Sequence, residues 1–212
     1  MERLANKLSE KIASQMKFDE DKKEVIAYGL TAIFQMIVIA LVISVIGIIF
    51  GFFYESMIIF IGVGIIRKST GGAHSRTMFG CLIFSILSIV LLSSLSRNVL
   101  NIQLDILQNI GISFVVFIFC FIIFYIRVPV DSPNKPIVKP EKIKRLRRQS
   151  FTILIIFSLL SVVFVLLTPL NSRFYSISVS IRLTMLWQLL TLTKFGGKLI
   201  YKIDSIFSKI EK

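Results

Sequence analysis

Six apolar runs, at 25–50, 52–66, 77–95, 106–128, 151–170 and 176–193, constrain this chain more than any other feature. Soluble domains rarely hold several apolar stretches near about twenty residues, the length a helix needs to cross a hydrocarbon core of roughly 30 Å. Inside lipid every backbone N–H and C=O must be satisfied within the protein, so runs of this kind become helices. The expected fold is therefore all-α, a single polytopic membrane bundle of about six segments. Hydrophobic residues make up 55% of the 212, with 19 Phe, which leaves little room for a soluble domain. The run 52–66 stands apart because it is short, covering roughly 22 Å at about 1.5 Å per residue. It is expected to cross a thinned membrane, or to form a re-entrant or tilted element inside the bundle. Gly62 and Gly64 within it suit close packing against another helix.

Lysine and arginine set the orientation, because short loops rich in them stay cytoplasmic. With six crossings and a cytoplasmic N-terminus, 22 of the 25 basic residues fall on the cytoplasmic side, in 1–24, 67–76, 127–150 and 194–212. Both termini are then expected inside. The net charge of +13 reads as topology plus a cytoplasmic face apposed to anionic lipid. No nucleic-acid recognition motif accompanies the charge. The first 24 residues lack the apolar core of a cleavable signal peptide, so the mature chain is expected to keep them. Within 1–24, Leu4, Ala5, Leu8, Ile12 and Met16 recur at helical spacing beside Arg3, Lys7, Lys11 and Lys17, the pattern of an amphipathic helix lying in the interface. Residues 25–193 form the membrane domain. The tail 194–212, with Ile203, Ile206, Phe207 and Ile210, is again amphipathic.

Candidate chemistry concentrates in Arg67-Lys68-Ser69-Thr70-Gly71-Gly72-Ala73-His74-Ser75-Arg76, read as a cytoplasmic loop entering the span that holds Cys81. On one continuous helix His74 and Cys81 would stand roughly 10 Å apart along the axis, whereas general-base work needs roughly 3 Å. The chain must bend between them, and Gly71 and Gly72 supply that freedom. Ser75 or Thr77 can cap the following helix, placing Cys81 near the end of its first turn. There the helix dipole, Arg76 and a protonated His74 would favour negative charge on the sulfur. The bland alternative is a surface histidine in a turn and a cysteine filling helix packing. Cys120, in the middle of an apolar run, reads as a small packing residue. One histidine and one cysteine fall short of a zinc ligand set, so no metal or other cofactor is expected.

A second stretch, Arg127-Val128-Pro129-Val130-Asp131-Ser132-Pro133-Asn134-Lys135-Pro136-Ile137, leads into Lys142, Lys144, Arg145, Arg147 and Arg148. Its three prolines favour an extended, kinked course, giving a Pro-rich basic loop over 127–150. That basic run could hold an acidic peptide, or serve as a topology signal in contact with lipid. Asp131 could orient His74 or cap the proline loop. Gln188, toward the cytoplasmic end of the last span, could donate to an oxyanion. Arg182 lies deeper, among Ser178, Ser180 and Thr184, and an ionisable residue inside a span is a functional candidate.

Taken together, Arg67…Gly71-Gly72-x-His74 with Cys81 seven residues on, then Pro129-x-Asp131-x-x-x-Lys135-Pro136-Ile137, resembles the AgrB family, the accessory gene regulator proteins of Gram-positive bacteria. The similarity covers nearly the whole chain, including its length, amphipathic start and number of spans. It implies a membrane cysteine endopeptidase that processes a short autoinducing-peptide precursor, AgrD, in quorum sensing. His74 and Cys81 match the family's catalytic pair, and Arg67 and Gly72 its surrounding motif. By that resemblance Cys81 attacks the peptide bond preceding the precursor's acidic C-terminal tail, with His74 as base and then acid. A thiol or hydroxyl within the precursor then closes a thiolactone or lactone ring. The tail would be drawn to Lys135, Lys142, Lys144, Arg145, Arg147 and Arg148. A second reading, from another class, is a small transporter or export subunit for a peptide, with Arg182 and the serines lining a path; a third is a non-catalytic membrane scaffold. A homodimer is compatible with a bundle of this size.

Overall fold

A computed structural model describes residues 2–16, 18–72, 78–98, 104–130 and 139–207. The helices are α1 (Glu2–Met16), α2 (Glu20–Phe50), α3 (Phe53–Thr70), α4 (Met78–Asn98), α5 (Ile106–Arg127), α6 (Pro140–Leu166), α7 (Arg173–Leu192) and α8 (Lys194–Phe207). The fold is all-α, and the described residues contain no strand, only a parallel bridge between Gly71 and Val130. The chain divides into two compact units, Met1–Val42 and Ile43–Lys212.

In the first unit α1 buries Ala5, Ser9 and Ala13 and leaves Leu4, Leu8, Ile12 and Met16 exposed, an apolar stripe at helical spacing. The carboxylate of Asp19 accepts the Lys22 N–H at 3.0 Å where α2 begins. Glu20 and Asp21 in the first turn of α2 complement the helix dipole.

The second unit is organised around α7, which packs on α3, α4, α5, α6 and α8. Named contacts give each helix its direction. Ser176, early in α7, donates to Glu55 early in α3 at 2.6 Å, and Gln188, late in α7, donates to Thr70 at the end of α3 at 2.7 Å. The two helices therefore run the same way. Helix α4 runs against them, with Ser96 near its end donating to the Ser176 carbonyl and Phe84 near its start meeting Trp187. Ser113 early in α5, Ser161 late in α6 and Ser178 early in α7 are joined hydroxyl to hydroxyl at 3.2 and 3.0 Å. So α5 follows α7 while α6 opposes it. Consecutive helices from α3 to α7 therefore alternate in direction.

Among the described residues four helices are long and apolar enough to cross a membrane: α2, residues Phe79–Asn98 of α4, α5 and α6. Helix α3 carries Glu55, Arg67 and Lys68, and α7 carries two arginines and a row of hydroxyls, so both are less apolar. Large side chains on the outer faces of the apolar helices, among them Leu91, Phe114, Phe119, Tyr125 and Leu159, are exposed, whereas twelve residues of α7 are buried. The unit thus keeps its polar groups inside and its hydrocarbon outside, the arrangement lipid demands.

Three expectations are corrected by these elements. The run 52–66 belongs to an 18-residue helix of roughly 27 Å, because polar residues prolong it. Ser69 and Thr70 each return a side-chain hydrogen bond of 3.0 Å to the Ile66 carbonyl, and Gly71 at φ +71° ends the helix. Arg67 to Thr70 are therefore helical and not part of a loop. The basic run is also helical: Pro140, whose missing N–H does no harm at a helix start, opens α6, so Lys142 to Arg148 sit on its first turns. Finally, only one of the two glycines serves close packing. A Cβ on Gly62 would come 2.9 Å from Thr184 and 3.3 Å from Phe157, while one on Gly64 meets nothing within 4 Å.

Gly62→Leu is accordingly expected to force α3 and α7 apart and to lower stability by about 1–3 kcal/mol, with Gly64→Leu close to neutral. Thermal unfolding of the two purified variants checks this, and equal loss in both would refute the assignment of Gly62 to the helix contact.

Candidate functional site

Two stretches separated by some sixty residues meet at the end of α3. The Val130 N–H donates to the Thr70 carbonyl at 2.8 Å, and Val130 bridges Gly71. The approach is so close that a Cβ on Gly71 would collide with the Val130 carbonyl oxygen, and Gly71 (φ +71°) and Gly72 (φ +137°) both hold backbone conformations that favour glycine. The peptide bond from Val128 to Pro129 is cis. The glycine turn after α3 and the proline segment after α5 are thus one structure.

Helix α7 supplies the third side of this site. Gln188 is fully buried, and its amide nitrogen donates to Thr70 Oγ1 at 2.7 Å and to the Gly71 carbonyl at 2.8 Å. Because the Gly71 carbonyl can only accept, the side-chain nitrogen must face the turn. Both amide hydrogens are spent there, so the oxyanion-donor role expected of Gln188 is not met by this geometry. Its Oε1 is buried with no hydrogen-bond partner among the described residues. Thr191, one turn further, lies against Gly72, where a Cβ would come 3.1 Å from its Oγ1. Glycine at 72 is required by that fit as well as by its backbone angle.

Cys81 is the fourth residue of α4 and carries a free, half-buried thiol. Arg67, in the last turn of α3, lies close enough to interact electrostatically with it. Cys120 is also free but fully buried, within the cluster formed with Phe124, Leu154 and Met185. Only Cys81 combines access with a cationic neighbour.

His74 lies outside the described residues, as do Asp131 and Lys135. Of the basic residues on α6, Lys144, Arg145 and Arg148 are exposed, and Lys142 and Arg147 are half-buried. Arg147 is engaged within the protein: it donates to the Tyr125 carbonyl at 2.8 Å and stacks on the Tyr125 ring. Thr70, Val130 and Thr191 shape the site without having drawn notice as sequence, since none is a chemically reactive type. Glu55 also escaped notice. It is 2% exposed, held by Ser176 and paired with Arg97 at 3.7 Å, at the far end of α3 from the glycine turn. An acid inside an apolar run was the available signal.

The accessory gene regulator B family model matches residues 2–192. This chain belongs to the AgrB family. An AgrB-like protein of Clostridium perfringens (strain SM101 / Type A) is 32% identical over 212 residues, covering 99% of each chain. AgrB-like protein 2 of Clostridium perfringens (strain 13 / Type A) is 30% identical over the same length and coverage. No solved structure matches. The glycine turn, Arg67, Cys81 and Gln188 all fall inside the region that the AgrB model matches.

In this AgrB chain Gln188→Leu is expected to strand the Gly71 carbonyl and the Thr70 hydroxyl, lowering stability by about 1–3 kcal/mol. Gln188→Glu should be worse, because a carboxylate oxygen would face the carbonyl. Thermal unfolding measures both, and a Leu variant as stable as the parent would show that the amide does not hold the turn.

Proposed function

We propose that this AgrB protein is a membrane cysteine endopeptidase that removes the C-terminal tail of an AgrD-like autoinducing-peptide precursor through an acyl-enzyme thioester. Family membership ties the chain to accessory gene regulator peptide processing. The observation that supports the finer reading is the placement of the half-buried Cys81 thiol on the helix that follows the Gly71–Gly72 turn, within electrostatic reach of Arg67. Gln188 and Val130 hold that turn in one conformation. His74 follows Gly72 by two residues and precedes Cys81 by seven, so the reading requires the chain to bring imidazole and sulfur together from that tethered turn.

In this mechanism Cys81 sulfur attacks the carbonyl carbon of the bond preceding the tail, with His74 taking the thiol proton. The tetrahedral intermediate collapses as His74 returns that proton to the leaving nitrogen, and the tail departs as a free amine. The thioester left on Cys81 keeps its acyl-transfer potential. An internal thiol or hydroxyl of the precursor, held close, then gives its proton to His74, attacks the same carbonyl and expels Cys81 as thiolate, closing a thiolactone or lactone. Water competes poorly with a nucleophile already in place. The exposed Lys144, Arg145 and Arg148 on α6, with Lys135 and Lys142, attract the acidic tail. The enzyme works from the cytoplasmic side of a multi-pass cell-membrane protein, an orientation supported by the distribution of Lys and Arg. No metal or other cofactor takes part in these steps.

Co-expression with the precursor, followed by mass measurement, tests the reaction. The expected product lacks the tail and is lighter by one water than the linear acid. Cys81→Ala should give no cleavage and Cys81→Ser at most a trace, since this imidazole activates a hydroxyl poorly. Alkylation of Cys81 should be fast in the parent and slower in His74→Ala. Full processing by Cys81→Ala would instead favour the export-subunit reading. Reversing the charge of Lys144, Arg145 and Arg148 together is expected to raise KM for the acidic-tailed precursor at least tenfold, with little change in kcat. That effect should shrink as salt is added, and a KM insensitive to both would remove these residues from tail binding.

A further inference from the structure

Arg182 is the one charged side chain in the middle of α7, and no acidic side chain among the described residues forms an ion pair with it. It is 5% exposed. Its two terminal nitrogens reach the Asn109 carbonyl at 3.5 Å and Asn109 Oδ1 at 3.4 Å, both at the long limit of hydrogen bonding. Its Nε is buried with no partner among the described residues. No ion pair with Arg182 occurs there either: Glu55, the acid buried in the bundle, is occupied by Ser176 and Arg97. The group does not stand alone, however. The Asn109 carbonyl also accepts from Ser113 at 3.0 Å, and Ser113 continues through Ser161 to Ser178. Hydroxyls and a guanidinium from α5, α6 and α7 thus form one connected polar cluster, toward the opposite end of the bundle from the Gly71–Gly72 turn.

A desolvated cation whose hydrogen-bond partner among the described residues is one neutral asparagine is an expensive arrangement inside a membrane bundle. The unpaired Nε belongs to a guanidinium edge with two parallel donors, the geometry that a planar carboxylate accepts in bidentate fashion once neighbouring side chains make way. We infer that this cluster is a second binding site, taking the carboxylate of a peptide between α5, α6 and α7 with Arg182 as its anchor. A lipid phosphate shares the negative charge but fits less well. Arg182 stands nine residues into α7, about 13 Å along the helix from its start, and is enclosed by neighbouring helices instead of facing the lipid surface. The choice of a peptide rests on the peptide-processing reading, whereas the anion site itself does not.

The test uses the full-length protein in phosphatidylcholine nanodiscs, with N-acetyl-leucyl-leucine and its C-terminal amide as probes. Thermal unfolding and the fluorescence of Trp187, the chain's single tryptophan, five residues from Arg182, are the readouts. The acid is expected to raise the unfolding temperature and change the fluorescence, and the amide to do neither. Arg182→Gln should abolish the response and Arg182→Lys weaken it at least fivefold, since an ammonium lacks the two-donor edge. Without peptide, Arg182→Gln should be no less stable than the parent, because the uncompensated charge is gone. Cys81→Ala, unable to cleave, should bind the acid normally, so loss of cleavage and loss of this site are separable. Three results overturn the proposal: an equal response to acid and amide; a destabilised Arg182→Gln that still responds to the acid, which would make Arg182 a brace; or Arg182-dependent stabilisation by phosphatidylglycerol nanodiscs without peptide, which would make it a lipid-phosphate site.

Discussion

The Gln188 carboxamide, donating at once to the Thr70 hydroxyl and the Gly71 carbonyl, is the interaction on which the candidate site depends. A helix that ends on two glycines leaves carbonyls to be satisfied and a chain free to wander. Gln188 removes both problems from one side and the Val130 N–H from another. The turn is then held by α7 and by the segment after α5, two elements that also form the bundle's interior. Geometry at this end of the bundle is in this way referred to the packing of the whole second unit, rigidity of the kind the proposed chemistry would need.

A polar helix at the centre of an apolar bundle explains the rest of the architecture. Helix α7 places Ser176, Ser178, Ser180, Arg182, Thr184, Gln188 and Thr191 in the interior, and each hydroxyl finds a backbone carbonyl or another hydroxyl. In lipid there is no hydrophobic force between helices, so small side chains and interhelical hydrogen bonds supply the specificity. Ser96 to Ser180, Ser113 to Ser161 and Ser161 to Ser178 tie α4, α5 and α6 to this axis or to one another. Gly62 lets α3 come close against Thr184. Cys81 belongs to this frame as well: it rides on α4, within electrostatic reach of Arg67 on α3.

The two cysteines show how much of the site could be read from residue order. Their difference was legible, because Cys120 sits in a run of bulky apolar residues and Cys81 follows a glycine turn rich in basic residues. The identity of the positively charged neighbour was not. Arg76 and His74 are near Cys81 in sequence, whereas Arg67 approaches from another helix, a contact that depends on how α3 and α4 pack. Gln188 was legible as a polar residue near the end of a span, but its task was misread, since hydrogen-bond direction depends on which acceptors the fold brings to it.

Residue order by itself determined that the chain is an all-α bundle, roughly where its helices lie, and which cysteine stands at a helix start, because hydropathy and the 3.6-residue period act locally. It also carried the spaced residues by which the family is recognisable. Only the tertiary structure decided that the short apolar run is a full helix ended by Gly71. The same holds for the joining of Gly71 to the segment after α5 through Val130, and for Arg182 lying in the interior with no ion pair among the described residues. Those outcomes depend on side chains and carbonyls from helices distant in the chain, and no local pattern encodes which of them will meet.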